Sequence, residues 1–544
     1  MKAALATLFV AAIIAGAADP VNGIIVKDGR AVQAHSDWNP VDGALRSVNK
    51  TGDLVAGYSI GRGDFHVVAR LRILKQQKSA ATFFLDGNHF GPEGASEKIF
   101  VNGPVFGQLR FLGASTDVFE RESWIDFEAI RRSGRLMYLI NGRKILEEHD
   151  GDREYTKVGF RPWRATLEMS RFTIVGNLKK LEPPKKNEFA IPLIDLDQES
   201  QRQVVVDIEK GQYLGHPTTV LLEDGKTILC VYPKGHGRGP IVYKRSTDGG
   251  LTWSERLPTP ESWATSKEVP TIHRVVDAQG TKRLIMWSGL YPARLAVSED
   301  DGANWSELKK VGDWGGIVVM GCLEKLRTGP GEYMAMFHDD GRFFTAEPKR
   351  ENPVRFKLFK TFSKDGGLSW SFPEVVYEST EVHLCEPGIV RSPDGKQLAV
   401  LLRENRRVKN SHVIFSNDEG KTWTEPRELP NELTGDRHTG KYLPDGRLFL
   451  TFRDRTPRTW ISPTAGDWAG WIGTYDDLVK GTPGQYRLRL KDNHKGADCT
   501  YPGVERLPDG TIVTTTYGHW DKGEQPYILS VRFTGKELDE RAGK

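Results

Sequence analysis

The chain has 544 residues, with 57 Gly, 30 Pro and 14 Trp, so glycine is about a tenth of it against a usual level of roughly 7%. Charged residues are 27% and the hydrophobic set is 38%, which excludes a disordered, collagen-like or coiled-coil chain. The 76 Lys and Arg stand against 72 Asp and Glu, a net charge of +4, which gives no argument for nucleic acid or an acidic lipid surface.

The chain opens with Met1-Lys2, an apolar run through Ile14, and a small-residue end at Ala15-Gly16-Ala17-Ala18. A basic start, a short apolar core and an A-x-A end fit a secretory signal over residues 1–18. An uncleaved anchor is the competing reading, but the run is short and rich in Ala. No later stretch approaches the roughly 20 apolar residues that a membrane helix needs. The expectation is a secreted or periplasmic protein without membrane insertion. Four cysteines follow, Cys230, Cys322, Cys385 and Cys499, with no C-x-x-C spacing. One disulfide is allowed in an exported chain. Nothing in the spacing demands one, and buried free thiols on strands are the expectation.

Residues 22–185 read as one β unit. Residues 65–73 alternate in polarity. Residues 124–142 give two β runs around Ser133-Gly134, ending in Asn141-Gly142, a hairpin pattern. The stretch resembles the laminin-G and concanavalin-like jelly-roll sandwiches. Residues 178–187, with Pro183-Pro184 among lysines, read as a polar linker.

Residues 190–540 carry an internal repeat. Residues 246–253, 298–305, 363–370 and 416–423 all read S-x-D-x-G-x-x-W, spaced by 52, 65 and 53 residues. An Asp carboxylate can bond backbone N–H groups across a tight turn, Gly supplies φ > 0, and Trp covers the hairpin. These octets resemble the Asp-boxes of sialidase-type propellers, whose acids are structural. Between them lies a second repeat, apolar strand, Asp-Gly turn, apolar strand, at Asp224-Gly225, Asp394-Gly395, Asp445-Gly446 and Asp509-Gly510. Two looser units, at residues 271–287 and 318–338, bring the total to six. The expected fold is all-β: an N-terminal jelly-roll β-sandwich, then a six-bladed β-propeller with four Asp-boxes.

Each such hairpin runs to its turn and returns, so residues before the first strand and after the second share the opposite end. Collected over the six units they are His216, His273-Arg274, Cys322, Glu386, Arg437-His438 and Tyr501. After the second strands come His236-Gly237-Arg238, Trp287, His338-Asp339, Arg403-Glu404, Arg453-Asp454-Arg455 and residues 517–520. Arg, His, acids and aromatics at one end of apolar strands suggest an anion-binding site with titratable groups.

The resemblance to the sialidase (neuraminidase) superfamily extends over most of residues 200–540. The segment from Cys385-Glu386-Pro387 through Asp394-Gly395 to Leu402-Arg403 is similar to the family's "E-P … D-G … R" run. It implies that Glu386 partners the nucleophile and Arg403 grips the substrate carboxylate. Tyr501-Pro502-Gly503-Val504, followed by Leu507-Pro508-Asp509-Gly510, is similar to the segment that carries the nucleophile, which implies Tyr501. The chain also departs from the family. Where an Arg-Ile-Pro is usual it has Gly215-His216-Pro217, so His216 takes the place of one carboxylate-binding Arg. The loop that usually supplies the acid/base Asp reads Lys234-Gly235-His236-Gly237-Arg238-Gly239, with no acid. His236 is therefore one acid/base candidate, with Arg238 a replacement cation. Asp339 is the second candidate, a turn-capping acid being the competing reading. The third Arg is open among Arg437, Arg453, Arg455 and Arg458, with Arg453 and Arg455 favoured because they follow an inner strand.

What the resemblance implies is a retaining exo-α-sialidase acting on sialylated glycans, with no cofactor, metal or nucleic acid. A hydrolase for another 2-keto-3-deoxy sugar acid, an inverting glycosidase using two carboxylates such as Glu386 and Asp339, and a non-catalytic glycan-binding propeller are the alternatives. A hydrogen bond between Tyr501 and Glu386 would favour the enzyme over the lectin.

Overall fold

The computed structural model describes residues 23–27, 30–31, 38–47, 53–75, 81–180 (save 95, 108, 121 and 164) and 188–543 (save 458). The export signal, residues 181–187 of the expected linker and Arg458 lie outside the described residues. The chain divides into two compact units, Met1–Pro184 and Lys185–Lys544.

The first unit is built on the strand Tyr58–Lys75, which pairs with Ile125–Arg132 on one side and Thr166–Lys180 on the other. Its alternation is the expected one: Phe65, Val67, Ala69 and Leu71 are buried, while the residues between them face the other way. Ser133-Gly134 and Asn141-Gly142 all take left-handed φ, between 45° and 75°. This is the two-residue turn that matches strand twist, and it joins Ile125–Arg132, Arg135–Ile140 and Arg143–His149 into a meander. A second, six-stranded sheet shares one core with this nine-stranded one. Phe83, Phe90 and Phe160 of the smaller sheet meet Phe127 and Tyr138 of the larger. One expectation is corrected. Leu178, Lys179 and Lys180 do not open a linker but end the strand Thr166–Lys180, paired with Ile60, Ser59 and Tyr58. Ladder hydrogen bonds are indifferent to the polar side chains that suggested a linker.

Among the described residues the second unit has six sheets, antiparallel save for one edge strand. Their first and second strands are Thr218–Leu221 and Ile228–Pro233, Thr271–Val276 and Lys282–Ser288, Ile317–Lys325 and Tyr333–Asp339, Leu384–Arg391 and Leu398–Glu404, Asp436–Tyr442 and Leu448–Arg453, and Gly503–Arg506 and Ile512–Gly518. The first strand of each sheet lies against the first strand of the next, and Gly503–Arg506 lies against Thr218–Leu221. The sixth sheet takes its outer strand from the start of the unit, Gln203–Asp207 pairing antiparallel with Tyr527–Phe533. Leu193–Asp195 likewise adds, in parallel, to Tyr486–Lys491 of the fifth. The two ends of the unit are thus held by ladder bonds.

The four S-x-D-x-G-x-x-W octets follow the third strands of the first four sheets and close on themselves. Ser246 donates to Asp248 at 2.8 Å and accepts from the Gly250 N–H at 2.8 Å, and Thr252 N–H donates to Asp248 at 3.0 Å. The same bonds recur at Asp300, Asp365 and Asp418. Burial alone would raise the Asp248 carboxyl; the bonds from Thr252, Ser246 and Leu251 overcome it and bring it down to about 2. All four cysteines are buried and free.

The first strands approach each other closely. A Cβ on Gly388 would stand 2.0 Å from the carbonyl oxygen of His438 on the neighbouring sheet. Gly388→Ala should therefore cost about 1–3 kcal/mol by overpacking. Thermal unfolding reads this, and an unchanged melting temperature would show that the two strands are not so apposed.

Candidate active site

The starts of the first strands are irregular. His216, Val318, Glu386, Arg437 and Thr500, from five of the six sheets, all have φ between 50° and 61°. The pairing slips between Ile317 and Cys322, between Cys385 and Gly388, and between Asp436 and Thr439. A non-glycine residue with positive φ costs of order 1–3 kcal/mol and persists only where its surroundings hold it. Bulges of this kind re-aim side chains.

The re-aimed groups converge. Tyr501 Oη donates to Glu386 Oε1, and Arg403 Nη1 donates to the same oxygen. Glu386 Oε2 is buried with no hydrogen-bond partner among the described residues. Burial pushes the Glu386 carboxyl up, but the charges of Arg403 and Arg453 and the hydrogen bond from Tyr501 together outweigh it, and the group sits below the usual carboxylate range. Burial, with the Glu386 charge beside it, holds the Tyr501 hydroxyl well above its ordinary value. The pair therefore stands as a carboxylate receiving the proton of a neutral phenol.

Asp436, fully buried, gathers three arginines. Arg453 reaches Oδ2 at 2.7 and 2.9 Å, Arg407 reaches the two oxygens at 2.6 and 2.7 Å, and Arg403 Nε lies 3.4 Å from Oδ1. Burial opposes ionisation, but the Arg403, Arg407 and Arg453 charges hold this carboxyl far below its ordinary range. Arg453 Nη1 also donates to the Ala497 carbonyl at 3.0 Å. Arg437 donates to the carbonyls of Gly321, Pro387 and Met320, its guanidinium 5.8 Å from the Tyr501 ring. The forks of Arg407, Arg437 and Arg453 are thus largely taken by the protein. Arg403, with 18% of its side chain exposed, and Arg455, exposed and unpaired among the described residues, face outward.

Two histidines complete the cluster. The His216 ring lies 4.4 Å from that of Tyr501 and 4.7 Å from that of His236. Its burial, then the charge of His236, keeps it well below its ordinary value, hence neutral. Its Nδ1 accepts the Gly237 N–H at 3.1 Å. His236, 64% exposed, lies 2.6 Å from the Tyr213 hydroxyl and 3.4 Å from Asp498.

Other sequence candidates lie apart. Asp339 accepts the backbone N–H groups of Gly341 and Phe343 at 2.7 and 3.2 Å, which is the turn-capping arrangement. Burial raises it to about 6 against those bonds. Its neighbour His338 does reach the cluster, accepting the Glu386 N–H at 3.4 Å. Arg238 is exposed on its loop. Trp287 packs with Trp314 and Trp370 in an apolar core, and Arg274 pairs with Glu223 and Asp301. Cys322 and His273 line a cavity of about 380 Å³ bounded by the first strands.

Sequence reasoning missed Asp436, Arg407, Tyr213 and Asp498. Asp436 directly precedes Arg437 at the bulge corresponding to Cys385-Glu386, a signal that was available. The loop 234–239 has no acid of its own, and Asp498, three residues before Tyr501 in the chain, lies 3.4 Å from His236.

A family model described as a BNR repeat-like domain matches residues 282–462. No curated protein matches the chain. Among solved structures, a protein of unknown function from Dyadobacter fermentans is 16% identical, with 61% of this chain and 97% of that one covered and a TM-score of 0.47. A leech intramolecular trans-sialidase is 13% identical, with 88% and 95% covered and a TM-score of 0.43. The intramolecular trans-sialidase of Ruminococcus gnavus is 14% identical, with 61% and 98% covered and a TM-score of 0.42.

Two outcomes follow from the electrostatics. Asp436→Asn leaves three guanidinium groups without their shared anion and should destabilise the fold by about 3–5 kcal/mol, read as a fall in denaturation midpoint. An unchanged midpoint would remove Asp436 from its place at the centre of the cluster. For Asp339, the folded carboxyl holds its proton to about 6 while the unfolded value is 3.8. Folding therefore takes up a proton in this window, and stability falls as pH rises through it. Asp339→Asn abolishes that loss, so the variant should gain on the wild type between about pH 4 and pH 7. A stability difference that is the same at both would show Asp339 to be solvated.

Proposed function

We propose that the chain is a retaining glycoside hydrolase of the sialidase type, exported, with a six-bladed propeller as its second unit and a concanavalin-like module as its first. The octets at residues 246–423 are its Asp-boxes. Its substrates are glycans ending in sialic acid. The observation that carries this reading is the hydrogen bond from Tyr501 to Glu386 beneath Arg403.

The residue types follow from the substrate. A sialic acid bears a carboxylate on its anomeric carbon, so an Asp or Glu nucleophile would be repelled. A phenol is neutral on approach, and sialidases are the Tyr-nucleophile exception among glycosidases. Tyr501 Oη attacks the anomeric carbon as its proton passes to Glu386. The bond to the leaving oxygen breaks with its electron pair, and that oxygen takes a proton from His236. In the second step His236 accepts a proton from water, the water oxygen bonds the anomeric carbon, the bond from that carbon to Tyr501 Oη breaks with its electron pair on Oη, and Oη recovers its proton from Glu386. Arg403 and Arg455 hold the substrate carboxylate, Arg403 offering a planar donor pair suited to it.

The hold of Asp436 on Arg407 and Arg453 favours one second reading, a related 2-keto-3-deoxy sugar acid cleaved by the same groups. Incubation with 2,3- and 2,6-linked sialylated glycans, with free acid sugar read by mass, separates the two. Tyr501→Phe and Glu386→Gln should each lower turnover by at least about 100-fold with the melting temperature kept. NMR of the first-released sugar should show the anomer of the substrate. Near-wild-type release by Tyr501→Phe, or inversion, would sink the mechanism.

A further inference from the structure

Two His–Tyr pairs converge on one carboxylate. Tyr213 Oη lies 2.7 Å from Asp498 Oδ1 and 2.6 Å from His236 Nδ1. A phenol has one proton, and a carboxylate can only accept. Tyr213 therefore donates to Asp498 and accepts from His236, which places a proton on Nδ1 and leaves Nε2 of the exposed ring facing outward. The second pair repeats the pattern. Because His216 Nδ1 accepts the Gly237 N–H, its proton is on Nε2, 3.3 Å from the Tyr517 hydroxyl. That hydroxyl in turn lies 3.5 Å from Asp498 Oδ1. The other oxygen, Oδ2, receives His519 Nε2 at 3.1 Å. Burial opposes the charge on Asp498, but His236, His519 and Tyr213 hold the carboxyl far below its ordinary range.

We infer that Asp498 is a positioning residue, acting through Tyr213 to fix the tautomer and orientation of His236 as the proton donor to the leaving group. This rests on the reading of the site as a retaining glycosidase. The carboxylate missing from the loop 234–239 is replaced by one from the stretch before Tyr501, set one phenol behind an imidazole. The same anion, through Tyr517, orients the His216 ring against the Tyr501 ring, while burial and the charge of His236 keep that ring neutral although Asp498 favours its charged form. An anion behind the relay also faces the imidazolium that forms when His236 takes up a second proton, as the buried Asp does in Ser-His-Asp triads. The groups facing His236 are Tyr213, Asp498 and His216. Arg238 shares its loop, and Glu268 lies against Gly237.

The experiment compares two sialosides of the full-length protein, one with an alkyl or sugar leaving group and one with an activated aryl leaving group. Only the first needs a proton at the departing oxygen. Asp498→Asn should lower kcat/KM, which reports the steps through departure of the leaving group, on the sugar-linked substrate by about 10–100-fold, a part of what general acid catalysis supplies, with a loss at least tenfold smaller on the aryl substrate. Tyr213→Phe, which keeps the ring and removes the hydroxyl, should show the same split and a shifted pH profile for kcat. Equal losses on both substrates, or none, would overturn the inference while leaving Tyr501 and Glu386 in their roles. A wild-type protein inert toward both sialosides would overturn the sialidase reading, and the relay with it.

Discussion

Everything near Tyr501 depends on how one buried carboxylate is used. Asp436 stands at the start of the fifth sheet's first strand. It receives Arg403 and Arg407 from the fourth sheet and Arg453 from its own. Guanidinium groups out of water are costly unless paired, and without Asp436 these three would repel one another. With it, Arg403 is pinned between Asp436 and Glu386, and Glu386 is kept ionised against its own burial. Only then does the Tyr501 hydroxyl have an acceptor. The Tyr501–Glu386 pair is thus the outer end of a chain of charges that begins at Asp436.

The backbone supplies the other constraint. A regular strand sends alternate side chains to opposite faces, which would place Glu386 or its neighbours between sheets. The slipped pairings at Cys385–Gly388 and Asp436–Thr439, with left-handed φ at Glu386 and Arg437, break the alternation. Arg437 anchors two of these irregular starts by donating to carbonyls at Gly321 and Pro387. An arginine expected to hold substrate is thereby spent on holding the strands that present it.

Tyr501, Glu386, Arg403 and Arg453 were legible because hairpin turns fix which end of a strand faces which way. The same logic found the meander of the first unit from Ser-Gly and Asn-Gly. What was not legible depends on contacts distant in sequence. Tyr213 meets Asp498 across 285 residues, and no local pattern announces the meeting. Asp436 reads as one more charge before an Arg until three guanidinium groups are seen to share it. Asp339 misled because Asp-Asp-Gly serves equally as a site acid and as a turn cap, and backbone N–H groups claim it here. Leu178, Lys179 and Lys180 read as linker because polar composition says nothing of ladder pairing.

The near-balanced charge of the whole chain conceals a local imbalance. Among the described residues Arg403, Arg407 and Arg453 gather on Asp436 and Arg403 also meets Glu386, so three guanidinium groups face these two carboxylates. Most of the guanidinium forks are already committed, and Arg403 and Arg455 keep exposed donors. On the proposed reading, an acidic sugar held there would bring its own negative charge close to Tyr501 Oη. A carboxylate in the place of Tyr501 would meet both that charge and the charge of Glu386. A phenol meets neither until its proton has passed to Glu386. In the proposed mechanism a tyrosine therefore answers to the same electrostatics that would draw the anion in.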